Sequence, residues 1–120
     1  MGYDLHITRK QNWANPQGTV ITPEEWLAVI QNDPELTVTG QNGPYHADWS
    51  GPGKYPCWLD YDRGELFTKY PTNEMIEKML VIAHRLDARV VGDEDEEYLG
   101  GGRVAVEERE GWVVRDLGGG

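Results

Sequence analysis

Two short strings place an imidazole and a carboxylate two residues apart: Asp4-Leu5-His6 and His46-Ala47-Asp48. In an extended chain, residues i and i+2 share a face, so Asp4 joins His6 and His46 joins Asp48. If the two strands were neighbours, the four side chains would meet, and such a set could bind a divalent metal or exchange protons with a substrate. The plainer reading leaves the histidines on a polar sheet face, hydrogen-bonded to their neighbours, and the sequence does not fix strand adjacency. Cys57, the one cysteine, could be a nucleophile with His46 or His84 as base. It lies between Pro56 and Trp58 without a nucleophile turn, which favours a buried structural thiol, and His84 reads as a helix-surface residue. Asp60 and Asp62, with Glu65 across a turn, could form a paired-carboxylate site, although acids at a hairpin tip are ordinarily solvated turn residues. The run Asp93-Glu94-Asp95-Glu96-Glu97 reads either as a solvated loop or as a patch that steers a basic partner.

The elements that would position these groups follow from local pattern. Tyr3 to Thr8 alternates Tyr3, Leu5, Ile7 against Asp4, His6, Thr8, the signature of a half-buried strand. Thr22-Pro23-Glu24-Glu25 combines an N-cap, a proline in the first turn and a capping-box glutamate, with Ile21 placed to staple against Trp26. The helix that follows runs about nine residues before Asn32-Asp33-Pro34 ends it. From Glu35 to Tyr70 turn formers separate short runs rich in β-formers, which predicts four strands in two hairpins. One spans Leu36–Thr39 and Tyr45–Trp49 about Asn42-Gly43, and the other spans Cys57–Tyr61 and Glu65–Lys69 about Asp62-Arg63-Gly64. Residues 50–56 form a broken loop that carries Tyr55 outward. A second helix runs from Glu74 to about Leu86 on the repeat Met75, Ile76, Met79, Leu80, Ala83, Leu86, and Ala88–Val91 supplies one more strand. Gly100-Gly101-Gly102 sets off a terminal hairpin from Arg103 to Arg115 about Glu110-Gly111.

The predicted fold class is therefore α+β: an antiparallel sheet of about five to six strands with two helices packed on one face, plus a C-terminal hairpin. Residues 1–99 make a single domain. Residues 100–120 make a Gly-flanked tail that packs on it or on a neighbouring chain.

The chain has 120 residues, with 11 Lys and Arg against 21 Asp and Glu, a net charge of −10. That size suits one core. The charge argues against neutralising phosphates or lying on anionic lipid, so neither nucleic acid nor membrane is an expected partner. The lone cysteine and the charged N-terminal residues Asp4, Arg9 and Lys10 point to a cytoplasmic location without a signal peptide. No Gly-rich phosphate loop or zinc-type Cys/His spacing is present, and no cofactor is expected.

The opening Met1-Gly2-Tyr3-Asp4-Leu5-His6-Ile7-Thr8-Arg9, then Trp13, Glu24-Glu25-Trp26-Leu27, Asn42-Gly43-Pro44 and Trp49-Ser50-Gly51-Pro52 resemble a group of small bacterial proteins of unknown function marked by the string YDLHITR. The resemblance covers roughly residues 1–92 and implies no catalytic residue. By type alone, small acidic α+β chains are also similar to the immunity proteins that neutralise bacterial polymorphic toxins. The leading functional expectation is a non-catalytic acidic binding protein, an immunity-type inhibitor of a basic toxin domain. Its expected contacts are Trp49, Tyr55, Trp58, Asp60, Asp93, Glu94, Asp95, Glu96 and Glu97. The competing expectations are a small metal protein or enzyme built on Asp4, His6, His46 and Asp48, and a homo-oligomer joined through Val104, Val106, Trp112 and Val114 of the tail hairpin.

Overall fold

In the computed structural model, residues 4–9, 20–94, 96–108 and 111–116 are described. Tyr3, Trp13 and Asp95, and the Glu110 of the expected terminal turn, lie outside them. The chain runs β1 (Asp4–Thr8), α1 (Pro23–Gln31), β2 (Leu36–Thr37), β3 (Ala47–Trp49), β4 (Cys57–Asp62), β5 (Glu65–Lys69), α2 (Asn73–Arg85), β6 (Arg89–Gly92), β7 (Glu97–Gly100), β8 (Arg103–Glu108) and β9 (Gly111–Asp116).

Both helices start where local chemistry dictates. The Thr22 side chain accepts from the Glu25 N–H while the Glu25 carboxylate receives the Thr22 N–H, closing the capping box with Pro23 inside the first turn. Thr72 caps α2 in the same way, accepting from the Met75 N–H. The β4–β5 hairpin turns on Arg63 and Gly64 with φ of 51° and 90°, flanked by the pair Asp62↔Glu65. Two consecutive positive φ values match the right-handed twist of the strands, and Gly64 takes its value without steric cost.

The strands form one nine-stranded sheet in the order β2-β3-β4-β5-β1-β6-β7-β8-β9, antiparallel at every junction. This overturns the expected sheet of five to six strands with two helices packed on one face: nine strands join one sheet, strand outweighs helix, and the two helices are short. The reason lies in Glu97-Tyr98-Leu99-Gly100. Next to an acidic run, this segment reads as loop, yet Tyr98 pairs with Val90 of β6 and with Val104 of β8. β7 thereby carries the pairing onward into β8 and β9. Gly100-Gly101-Gly102 is the tight β7–β8 turn, with φ of 90°, 63° and 76°, a conformation that only glycine adopts freely over three successive residues.

Strand alternation gives the sheet two unlike sides. One side sends Leu5, Ile7, Leu59, Leu66, Val90, Tyr98 and Val104 into a single core with Trp26 and Val29 of α1 and Met75, Met79, Ile82 and Ala83 of α2. Trp26 is fully buried and donates Nε1–H to the Tyr45 carbonyl at 2.8 Å. α1 touches β2, while α2 crosses β1, β6 and β7. Asp33, beyond the end of α1, is nearly inaccessible and holds Lys78 Nζ at 2.7 Å and Arg85 Nη1 at 3.1 Å. Lys78 also reaches Glu35 Oε1 at 2.8 Å, and the same oxygen accepts from Trp49 Nε1 at 2.9 Å. Burial opposes ionisation of Asp33, but the Lys78 ammonium and the Glu35 N–H outweigh it and hold the carboxyl below its ordinary range. No helix among the described residues is long and apolar enough to cross a membrane.

Candidate functional site

The other side of the sheet carries the polar chemistry. Register places Asp60, Phe67, His6, Val91, Glu97 and Ala105 in one row across β4, β5, β1, β6, β7 and β8. Sequence periodicity alone could not make this row, because it depends on β1 inserting between β5 and β6.

The sheet order separates the two histidine–aspartate pairs. β4 and β5 stand between β1 and β3, so Asp4 and His6 do not converge with His46 and Asp48, and the four-residue set expected from the sequence is not assembled. Each histidine instead finds carboxylates of its own. His46 places Nδ1 3.2 Å from Asp60 Oδ2 and Nε2 3.7 Å from Asp48 Oδ1. Its ring stacks on Trp58 with centroids 4.9 Å apart, and Trp58 meets Phe67 edge-on at 5.7 Å.

His6 places Nδ1 3.0 Å from Glu65 Oε1 and Nε2 3.3 Å from Asp93 Oδ1. The Glu65 contact is close but poorly aligned, since Nδ1 is buried without a well-formed hydrogen bond. The Glu65 carboxylate, opposed by partial burial and assisted by Asp93, raises the His6 pKa above its ordinary value. Asp93 is fixed from its other oxygen, where Oδ2 accepts the Asp4 N–H at 2.9 Å. The pairing Leu5↔Gly92 makes this possible, because it sets residue 93 beside residue 4. Asp4 holds Lys69 Nζ at 3.2 Å. A cavity of about 380 Å³ opens beside this group, lined among the described residues by His6, Glu65, Val91, Gly92 and Asp93.

The remaining expected residues are dispersed. Trp49 belongs to the core, at 8% exposure. Tyr55 is exposed and its hydroxyl donates to the Tyr70 carbonyl. Cys57 is buried, with the Tyr55 carbonyl and the Thr72 hydroxyl as its sulfur's partners, so neither His46 nor His84 stands beside it as a base. Asp60 and Glu65 serve different histidines, while Asp62 is exposed near Arg63. The acidic run does not act as one patch. Asp93 is bound to His6, Glu97 to Arg89 at 3.2 Å, and Glu94 is exposed. Glu96 is buried, receiving the Tyr98 hydroxyl at 3.2 Å and the Glu94 N–H at 3.1 Å. A side chain at Gly92 would collide with that carboxylate. Burial and the Glu96 charge together push the Tyr98 hydroxyl pKa up.

Sequence reasoning did not join Glu65 or Asp93 to His6, nor Phe67 to Trp58. The alternation Glu65, Phe67, Lys69 was available as a signal, but only with β5 known to flank β1. No family model, curated protein or solved structure matches the chain.

Proposed function

We propose that this chain is a non-catalytic, cytoplasmic binding protein that docks a basic protein partner on the sheet side facing away from the core, in the manner of an immunity-type inhibitor of a toxin domain. The observation that carries this reading is the stack of His46, Trp58 and Phe67 bordered by the carboxylates of Asp48 and Asp60. An aromatic platform edged with anions suits an Arg or Lys side chain, which gains both cation–π contact and charge pairing there. The surplus of anions favours the same class of partner. Arg9, Lys69, Lys78, Arg85 and Arg89 are each already held by carboxylates of the chain itself, so the net charge of −10 is expressed by the acids left over, which steer a cationic surface toward the molecule. The contacts this reading uses are Asp48, Trp58, Asp60, Tyr55 and Glu94.

The test is affinity capture from the native host, followed by titration with the recovered partner. Recovery of a basic protein whose binding weakens with salt, and falls at least about 100-fold in Trp58→Ala and Asp60→Lys, a loss typical of an interface anchor, supports the reading. A partner indifferent to both substitutions, or the absence of any basic partner, overturns it.

A second reading, a homo-oligomer, is favoured by β9. This strand stands at the end of the sheet order and exposes Trp112 and Val114, both at 55%, at an edge that a second copy could extend. Light scattering of the full chain and of Val114→Lys decides it: an oligomer that dissociates on substitution supports the edge, and a monomeric parent removes it.

A further inference from the structure

The geometry points to a divalent transition-metal site formed by Asp4, His6 and Asp93 at the mouth of the cavity beside β1 and β6, selective for Zn²⁺ or Mn²⁺ over Mg²⁺ and Ca²⁺. One ligand atom from each residue lies within 4.8 Å of the others. Zn–N and Zn–O bonds of about 2.0–2.2 Å place two ligands of one tetrahedral ion roughly 3.3–3.6 Å apart. His6 Nε2 and Asp93 Oδ1 already stand 3.3 Å apart, so an ion between them requires little movement of either side chain.

The surroundings are those of a metal-binding histidine. A ligating imidazole characteristically gives its second ring N–H to a carboxylate, which fixes the tautomer and raises the basicity of the ligating nitrogen. Glu65 lies 3.0 Å from His6 Nδ1, near enough to take that role once a small rotation aligns the pair, since Nδ1 makes no well-formed hydrogen bond as it stands, and this leaves Nε2 for the ion. Asp93 is oriented in turn by the Asp4 N–H on its Oδ2, which aims Oδ1 at His6. The protein contributes these groups from β1, from β5 and from the residue following β6, so the hydrogen-bonded sheet fixes their relative positions. Lys69 holds Asp4 Oδ1 at 3.2 Å, which orients this carboxylate.

Three carboxylates around one imidazole, with a single ammonium at their edge, leave an excess of negative charge that a dication neutralises. Binding takes the lone pair of Nε2, so any proton held there is released to solvent as the metal enters. The imidazole nitrogen favours first-row transition ions, Zn²⁺ most and Mn²⁺ least, over Mg²⁺ and Ca²⁺, which take oxygen throughout. The cavity of about 380 Å³ leaves room for the waters that complete the coordination sphere.

The site is independent of any docking partner and is tested on the isolated full chain, without an affinity tag. Calorimetry and elemental analysis are expected to give about one Zn²⁺ or Mn²⁺ per chain, with weaker binding of Mg²⁺ and Ca²⁺. His6→Gln and Asp93→Asn should abolish it, and Glu65→Gln, which keeps the ligands but removes their support, should weaken it about 10-fold. Circular dichroism verifies that each variant folds. Mn²⁺ added to the unmodified chain should broaden the NMR amide signals of residues 4–6, 65 and 91–93, a readout that needs no variant. Absence of stoichiometric binding, equal affinity for Mg²⁺, undiminished binding in both ligand variants, or broadening centred on other acids such as Glu74 and Glu77 overturns the assignment.

Discussion

The two sides of the sheet use similar residues to opposite ends. On the core side, three buried polar groups are held by partners: Trp26 Nε1 by a carbonyl, Asp33 by two cations, and Glu96 by Tyr98. On the other side, two histidines each stand between two carboxylates, and one of them, His6, lines a cavity with other described residues. His46 is covered by Trp58, whose ring closes over it, so its carboxylates orient a packed imidazole. His6 faces free volume with a third carboxylate, Asp4, in reach. A histidine among acids is therefore a common structural unit, and unfilled space together with an additional ligand from a second strand distinguishes a candidate site.

The largest contrast between the sides is in stability. Trp26→Ala opens a cavity in the core and leaves the Tyr45 carbonyl without its donor, so it should cost about 3–5 kcal/mol in denaturant unfolding. Trp58→Ala removes a half-buried ring from the other side and should cost only about 1–2 kcal/mol, the value of one aromatic packing contact with some burial. Equal losses would mean that the polar side is a second core and would remove the docking surface.

Next in size is Asp33→Ala. Asp33 is 3% exposed and Lys78 12%, so deleting the acid leaves a largely buried ammonium with Glu35 as its remaining carboxylate and should cost about 2 kcal/mol. The double variant Asp33→Leu, Lys78→Met should recover most of that loss, because replacing both charges removes the desolvation cost along with the attraction. If the double variant is no more stable than Asp33→Ala, the pair serves some purpose other than mutual compensation.

What could be read from the sequence divides along the same line. Local chemistry was legible: Thr22, Pro23 and Glu25 specify the start of α1 within four residues, and Asp62-Arg63-Gly64 specifies a hairpin. Partners distant in the chain were not. The bond between His6 and Asp93 joins residues 87 positions apart, and it exists because β6 returns beside β1, which no local period encodes. β7 was lost for a related reason. Glu96 and Glu97 beside Asp93 look like solvated charge, but the Tyr98 hydroxyl satisfies one and Arg89 the other, so acids at the head of a strand resemble a loop in sequence. The expected anionic patch dissolved with that error, since a run of charges in sequence is a surface feature only if every member remains on the surface.

A smaller effect sharpens the contrast at the start of α1, where Glu25 closes the capping box and pairs with Arg9. Thr22→Ala should cost about 1 kcal/mol, the usual value of an N-cap. Glu25→Gln keeps an amide able to close the box and removes only the charge, so its cost at neutral pH should be a fraction of that. This cost should also depend on pH in one direction. The Arg9 guanidinium, with help from the Thr22 N–H, holds the Glu25 carboxyl down to about 2, against about 4.3 for a glutamate in an unfolded chain. A carboxyl whose pKa is lower in the folded state stabilises the fold above the unfolded value and loses that contribution as pH falls toward the folded one. The unmodified chain should therefore be more stable than Glu25→Gln at pH 7, with the difference shrinking below about pH 4.3 and vanishing near pH 2, as measured by thermal unfolding across that range. A gap that persists unchanged to pH 2 would mean that the charge of Glu25 contributes nothing and that the cap alone holds the helix start.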